Sequence, residues 1–126
     1  MLRACLSVLQ SLFGNADAEI TEDSPTTLAV QYRRTRTEFN RQTGEILQNS
    51  KLVGRISLVD WVQLRQRHVA RDSIRWVIAL QVGMHCQVEV GESHEPEGAS
   101  IVAAHIGTAT GKPVHFRRDS GELGDA

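Results

Sequence analysis

The sequence predicts an α+β fold: a small antiparallel, partly open β-barrel or bent sheet of about six to seven strands, capped by a C-terminal helix and preceded by an extra amphipathic helix. Three observations carry that expectation. Ile74, Trp76, Ile78, Leu80 and Val82 are apolar at every second position, and Met84, Cys86, Val88 and Val90 resume the alternation beyond Gly83. That is the period of two strands, each burying one face, joined by a tight turn at a residue tolerant of positive φ. Shorter alternating runs separated by turn residues occupy residues 27–68, and one stretch of helical period follows the strands.

At 126 residues the chain forms one domain with one core. No apolar run approaches the roughly 20 residues that span a bilayer, so no transmembrane segment is expected. Cys5 and Cys86 fall on apolar faces, which predicts buried free thiols in a reducing cytoplasm rather than a disulfide. The N-terminus also has the outline of a signal peptide, with Arg3, Ala4 to Gly14 and then Ala16-Asp17-Ala18. Ser7, Gln10 and Ser11 interrupt its apolar part, and the cytoplasm is the expected location.

Taken in order, Leu2, Cys5, Leu6, Leu9, Leu12 and Phe13 recur at helical spacing, which predicts an amphipathic helix over residues 1–15. So short a helix is marginal alone in water, and its stripe of Leu2, Leu6, Leu9, Leu12 and Phe13 needs a surface, on its own domain or on a second copy. Residues 16–26 are acidic, contain Ser24-Pro25 and read as a linker. The strand-rich domain is expected over 27–116. Leu28, Val30 and Tyr32 alternate, Thr35, Thr37 and Phe39 continue beyond Arg33-Arg34, and Asn40 to Gly44 turns the chain into a strand running from Glu45 to Val53. Arg55 to Asp60 is a short crossing turn, and Trp61 to His68 is a strand with Val62 and Leu64 on its apolar face. Pro96 suits a first helical turn, and Ala99, Val102, Ala103, Ile106 and Ala109 mark one face through Thr110. Gly111 and Pro113 stop the helix. Residues 117–126 read as a disordered polar tail.

That order of parts resembles the bacterial pleckstrin-homology-like domains, small strand-rich modules closed by a C-terminal helix. The resemblance spans Thr27 to Val114. It rests on Phe39-Asn40-Arg41-Gln42-Thr43-Gly44-Glu45-Ile46 as an opening hairpin, on Ile56 to Val62 leading into the next strand, and on the helix ending at Gly111-Lys112-Pro113-Val114. It implies an adaptor, scaffold or membrane-associated module rather than an enzyme. The N-terminal helix has no place in the family's usual pattern.

Charge is unevenly placed. Between Arg33 and Arg75, nine arginines and Lys51 outnumber Glu38, Glu45, Asp60 and Asp72 by six, while the segments on either side are net acidic. Arginine favours bidentate contact with phosphate or carboxylate, which makes Arg33, Arg34, Arg36, Arg41 and Arg55 candidate anion-binding residues. The competing reading is that arginines at solvent-facing strand positions, among them Arg65, Arg67 and Arg75, discourage edge pairing. Aromatics make up only 5% of the chain, which weighs against single-stranded nucleic acid, where bases stack on exposed rings.

His85 and Cys86 are adjacent on a strand and point to opposite faces, so they do not share a metal ion. No serine elbow or phosphate-cradling glycine loop is present, and no cofactor or catalytic residue is expected. The expected function is therefore a non-catalytic interaction, adaptor or assembly module that binds a protein partner or a second copy. The alternative is a phosphate- or anionic-lipid-binding module that uses the arginine-rich strands.

Overall fold

In the computed structural model, which describes residues 17–70, 73–117 and 123–124, the alternation around Gly83 forms a long antiparallel hairpin, and the rest of the chain is arranged about it. Its strands are β7 (Ser73–Val82) and β8 (Cys86–Ser93), with Gly83 at φ 73° in the turn. Asp60 secures that turn by accepting the Gly83 amide at 2.9 Å.

Before the hairpin come β1 (Glu19–Asp23), β2 (Thr27–Tyr32), β3 (Thr35–Asn40), β4 (Glu45–Gln48) and β5 (Lys51–Arg55), then a 3-10 turn over Ile56–Leu58 and β6 (Trp61–Ala70). After it come the helix α1 (Pro96–Thr110), β9 (Val114–Arg117) and β10 (Leu123–Gly124). Two five-stranded sheets result, in the orders β1-β2-β3-β4-β5 and β10-β9-β6-β7-β8. Helix α1 packs mainly against β6, β7 and β8, with lighter contacts to β1, β2 and β9.

The fold is thus mostly β with one C-terminal helix, but several expectations are corrected. The strands form two sheets that do not close into a barrel, and there are more of them than the spacing of turns suggested. The acidic stretch expected as a linker contributes β1, whose Ile20 packs against the core. The single strand expected from Glu45 to Val53 is two, because Asn49 and Ser50 both adopt positive φ and form a two-residue turn between β4 and β5. Within the segment expected as a tail, Arg117 ends β9, and Leu123–Gly124 pairs back on that strand. The sheets are not wholly antiparallel, since α1 carries the chain across to lay β9 parallel to β6. The helix expected over residues 1–15, with Leu2, Leu6, Leu9, Leu12, Phe13 and Cys5, lies outside the described residues.

The core lies between the sheets and under the helix. Leu28, Val30, Phe39 and Ile46 come from the first sheet, Val62, Leu64, Ile78, Leu80 and Val90 from the second, and Ala99, Val102, Ala103 and Ile106 from α1. Trp76 and Val88 pack against this cluster while only half-buried. Met84 and Cys86 are exposed, contrary to the alternation, because they lie at the turn of the hairpin, beyond the layer that α1 covers.

A bulge explains why the alternation on β8 fails after Val90. Glu89 pairs with Ala79 and Gly91 with Ile78, so Val90 is an extra residue, and every later side chain changes face. Gly91 consequently takes an inward position, where an added Cβ would sit 2.8 Å from the Tyr32 Cβ and 2.9 Å from the Ala18 Cβ. Ala18 donates its amide to the Glu92 carbonyl at 2.7 Å beside that contact. Two stability outcomes follow, both measurable by urea denaturation. Ile78→Ala should cost about 2–5 kcal/mol as a large-to-small change at a fully buried position. Gly91→Ala should cost about 1–3 kcal/mol by overpacking, despite adding only a methyl group; a neutral result would mean that the sheets can part there freely.

Candidate functional site

The arginines of the central segment do not form one surface. Arg33 and Arg34 make the turn between β2 and β3, with the Arg33 guanidinium 5.2 Å from the centre of the Tyr32 ring. Arg36 lies at that same end of β3. Arg41 follows the opposite end of β3, and Arg55, across from Glu45 in the β4–β5 register, lies at that end too. The five residues expected to bind an anion are therefore split between the two ends of the first sheet.

Most of the central arginines meet carboxylates from the acidic flanks. Arg36 contacts Glu22 at 3.2 Å and Glu38 at 2.9 Å, and Arg41 contacts Asp23 at 2.6 Å. On the second sheet the strand register brings Arg65, Arg67 and Arg75 alongside Glu89 and Glu92 on the face opposite the core. Arg65 contacts Glu89 at 2.9 Å, Arg67 bridges Glu89 and Glu92, and Arg75 contacts Glu92 at 3.4 Å and Asp17 at 3.7 Å. Gln87 donates to both Gln63 and Gln81 at 2.9 and 2.8 Å in the same layer. Val77 and Ala79, which face this way rather than toward the core, are nonetheless fully buried. This layer is electrostatically balanced, with three arginines against Glu89, Glu92 and Asp17.

A shallow cleft of about 270 Å³ lies between α1 and the first sheet, lined by Asp23, Arg41, Ala104, His105 and Thr108. One carboxylate oxygen of Asp23 takes Arg41, and the other lies 3.0 Å from the His105 Nδ1. The Asp23 carboxylate thereby ties α1 to β1 and to the β3–β4 turn, and the cleft's charged groups are spent on one another. Among the described residues no group of three or more His, Cys, Asp or Glu side chains is placed to hold a metal ion.

The feature that sequence reasoning missed is the outer edge of the first sheet. Among the described strands β5 pairs only with β4, leaving Leu52 53% exposed and Val53 37% exposed, and Leu58 just beyond it is 58% exposed. Lys51 and Arg55 flank the pair and make no ion pair with a described residue. The signal was present in Asn49-Ser50, a pair that tolerates a left-handed turn, but an unbroken strand through it satisfies the same apolar spacing. The β8 edge is treated differently. The β8 backbone is met by the Gln48 side chain on the Glu89 carbonyl at 2.8 Å and by the Ala18 amide on Glu92. No protein-family model, no curated protein and no solved structure matches this chain. No described helix is long and apolar enough to cross a membrane.

The ion-pair layer predicts an order of stabilities. Glu92 is 14% exposed and takes two arginines, so Glu92→Gln should cost about 1–3 kcal/mol. Glu89 is 47% exposed, and Glu89→Gln should cost less than about 1 kcal/mol and lose even that at high salt. Thermal denaturation at low and high ionic strength checks both, and equal costs would contradict the assigned burial.

Proposed function

We propose that this chain is a non-catalytic interaction module, an adaptor or assembly subunit, that receives an extended segment of a partner along β5. The observation that carries the reading is the concentration of exposed Leu52, Val53 and Leu58 on and beside the outermost strand of a sheet. A strand in that position offers unpaired backbone groups to an incoming strand and apolar side chains beside them, the two components of recognition by strand addition. The pairing of Arg36 and Arg41 with carboxylates favours this reading over the binding of phosphate or anionic lipid on the arginine-rich strands. The run of antiparallel strands from β1 to β8 leading into α1 is the part of the fold in keeping with a pleckstrin-homology-like adaptor, whereas the parallel β9 after the helix and the unclosed sheets depart from that pattern.

Site-specific photo-crosslinking tests the proposal. A benzophenone side chain at position 52 should capture a discrete partner in an extract of the cells that make this protein. The same group at Ile101, which is exposed on the outer side of α1, should not. Leu52→Asp should abolish co-purification of that partner while changing stability by no more than about 0.5 kcal/mol. Equal capture from both positions, or from neither, would sink the reading.

A further inference from the structure

We infer that the segment received by β5 is acidic at its ends and apolar between them: an extended stretch of a partner protein in which carboxylates flank β-branched or aliphatic residues. The inference rests on the strand-addition reading and names its partner class.

The backbone geometry comes first. Gln48 and Lys51 close the two-residue turn through Asn49 and Ser50, so their amide and carbonyl groups face one another. Ladder polarity alternates along an antiparallel strand, so Leu52 directs its N–H and C=O away from β4, toward the open side. Charge comes second. The ion pairs of this protein take up Arg36, Arg41, Arg65, Arg67 and Arg75, whereas Lys51 and Arg55 pair with no described carboxylate. Glu45 stands across from Arg55 in register without closing a contact. The exposed apolar pair Leu52–Val53 is thus bracketed by two cations free to meet an incoming strand.

The same features disfavour a second copy on this edge. Two β5 strands paired antiparallel about their centres would set Lys51 against Arg55 of the other copy, and directly opposed like charges are destabilising. The bulge at Val53, which leaves that residue unmatched on β4, further discourages indiscriminate pairing. The acidic strand β1 of another molecule is also poorly suited, because its Glu22 and Asp23 are already held by Arg36, Arg41 and His105. A partner strand with its own unpaired carboxylates meets both the charge and the apolar requirements, with the flanking charges setting preference more than raw affinity.

The test uses the full chain and two fluorescein-labelled peptides, acetyl-Gly-Ser-Asp-Val-Ile-Val-Asp-Ser-Gly-amide and its counterpart with Lys in place of both Asp. Binding is followed by fluorescence anisotropy, and the site is mapped by amide chemical-shift changes. The acidic peptide should bind roughly tenfold more tightly than the basic one at low salt, with shifts confined to β4 and β5, and the preference should shrink at high salt. The double variant Lys51→Glu, Arg55→Glu should invert the preference. Leu52→Pro removes the outward amide while sparing the inward ladder, and it should abolish binding of both peptides. If both peptides bind at β5 equally well, the edge is a docking site and the acidic-partner inference is overturned. If neither shifts β5 resonances at millimolar peptide, the inference falls, and the crosslinking from position 52 then decides separately whether the edge reading falls with it. Concentration-dependent dimerisation lost in Leu52→Pro would overturn it in favour of a second copy.

Discussion

The architecture depends on one close approach. Gly91 brings the β8 backbone directly against the side chains of Tyr32 and Ala18, joining the second sheet to the first with no side chain of its own between them. The bulge at Val90 makes this possible by rotating a residue without a Cβ into the inward position opposite Ile78. The rotation also turns Glu92 outward, where it meets Arg67 and Arg75. A single extra residue thereby places both the seam of the core and the centre of the outer polar layer. Without it, strict alternation would carry a carboxylate into the core, which no described cation is positioned to neutralise.

The distribution of charge along the chain acquires a physical meaning in this arrangement. The arginine-rich middle and the acidic flanks are separate in sequence but interleaved in space, since β1 carries Glu22 and Asp23 to Arg36 and Arg41, and β8 carries Glu89 and Glu92 to the arginines of β6 and β7. Such exposed pairs contribute little to stability individually. On the same face Val77 and Ala79 are fully buried, so the central strand β7 is buried on both faces although only one adjoins the core.

The sheet edges show a graded treatment. The β8 edge is occupied by a side-chain amide and a backbone amide, and β1 is tied through Asp23 to helix α1. Among the described residues strand β5 receives only a bulge and flanking charges. Those devices suppress random association while leaving apolar side chains exposed.

Local periodicity by itself determined the β7–β8 hairpin, the β3–β4 hairpin about Asn40–Gly44, the buried face of β6 and the full extent of α1 from Pro96 to its Gly111 stop, because each is specified by side-chain spacing and turn chemistry within a few residues. It misjudged Met84 and Cys86, since alternation says which face a residue occupies but not how far along a strand the covering layer extends. It read the Asp17–Thr26 stretch as a linker, because an acidic strand with one half-buried isoleucine has almost no apolar period. The candidate site was the least legible part. Arg36, Arg41, Arg65, Arg67 and Arg75 look available in sequence and are engaged in space, while Leu52 and Val53 look like ordinary strand residues and are exposed. Only the tertiary structure decided these, because ion pairing and edge position depend on which distant strands become neighbours, and no local spacing encodes that.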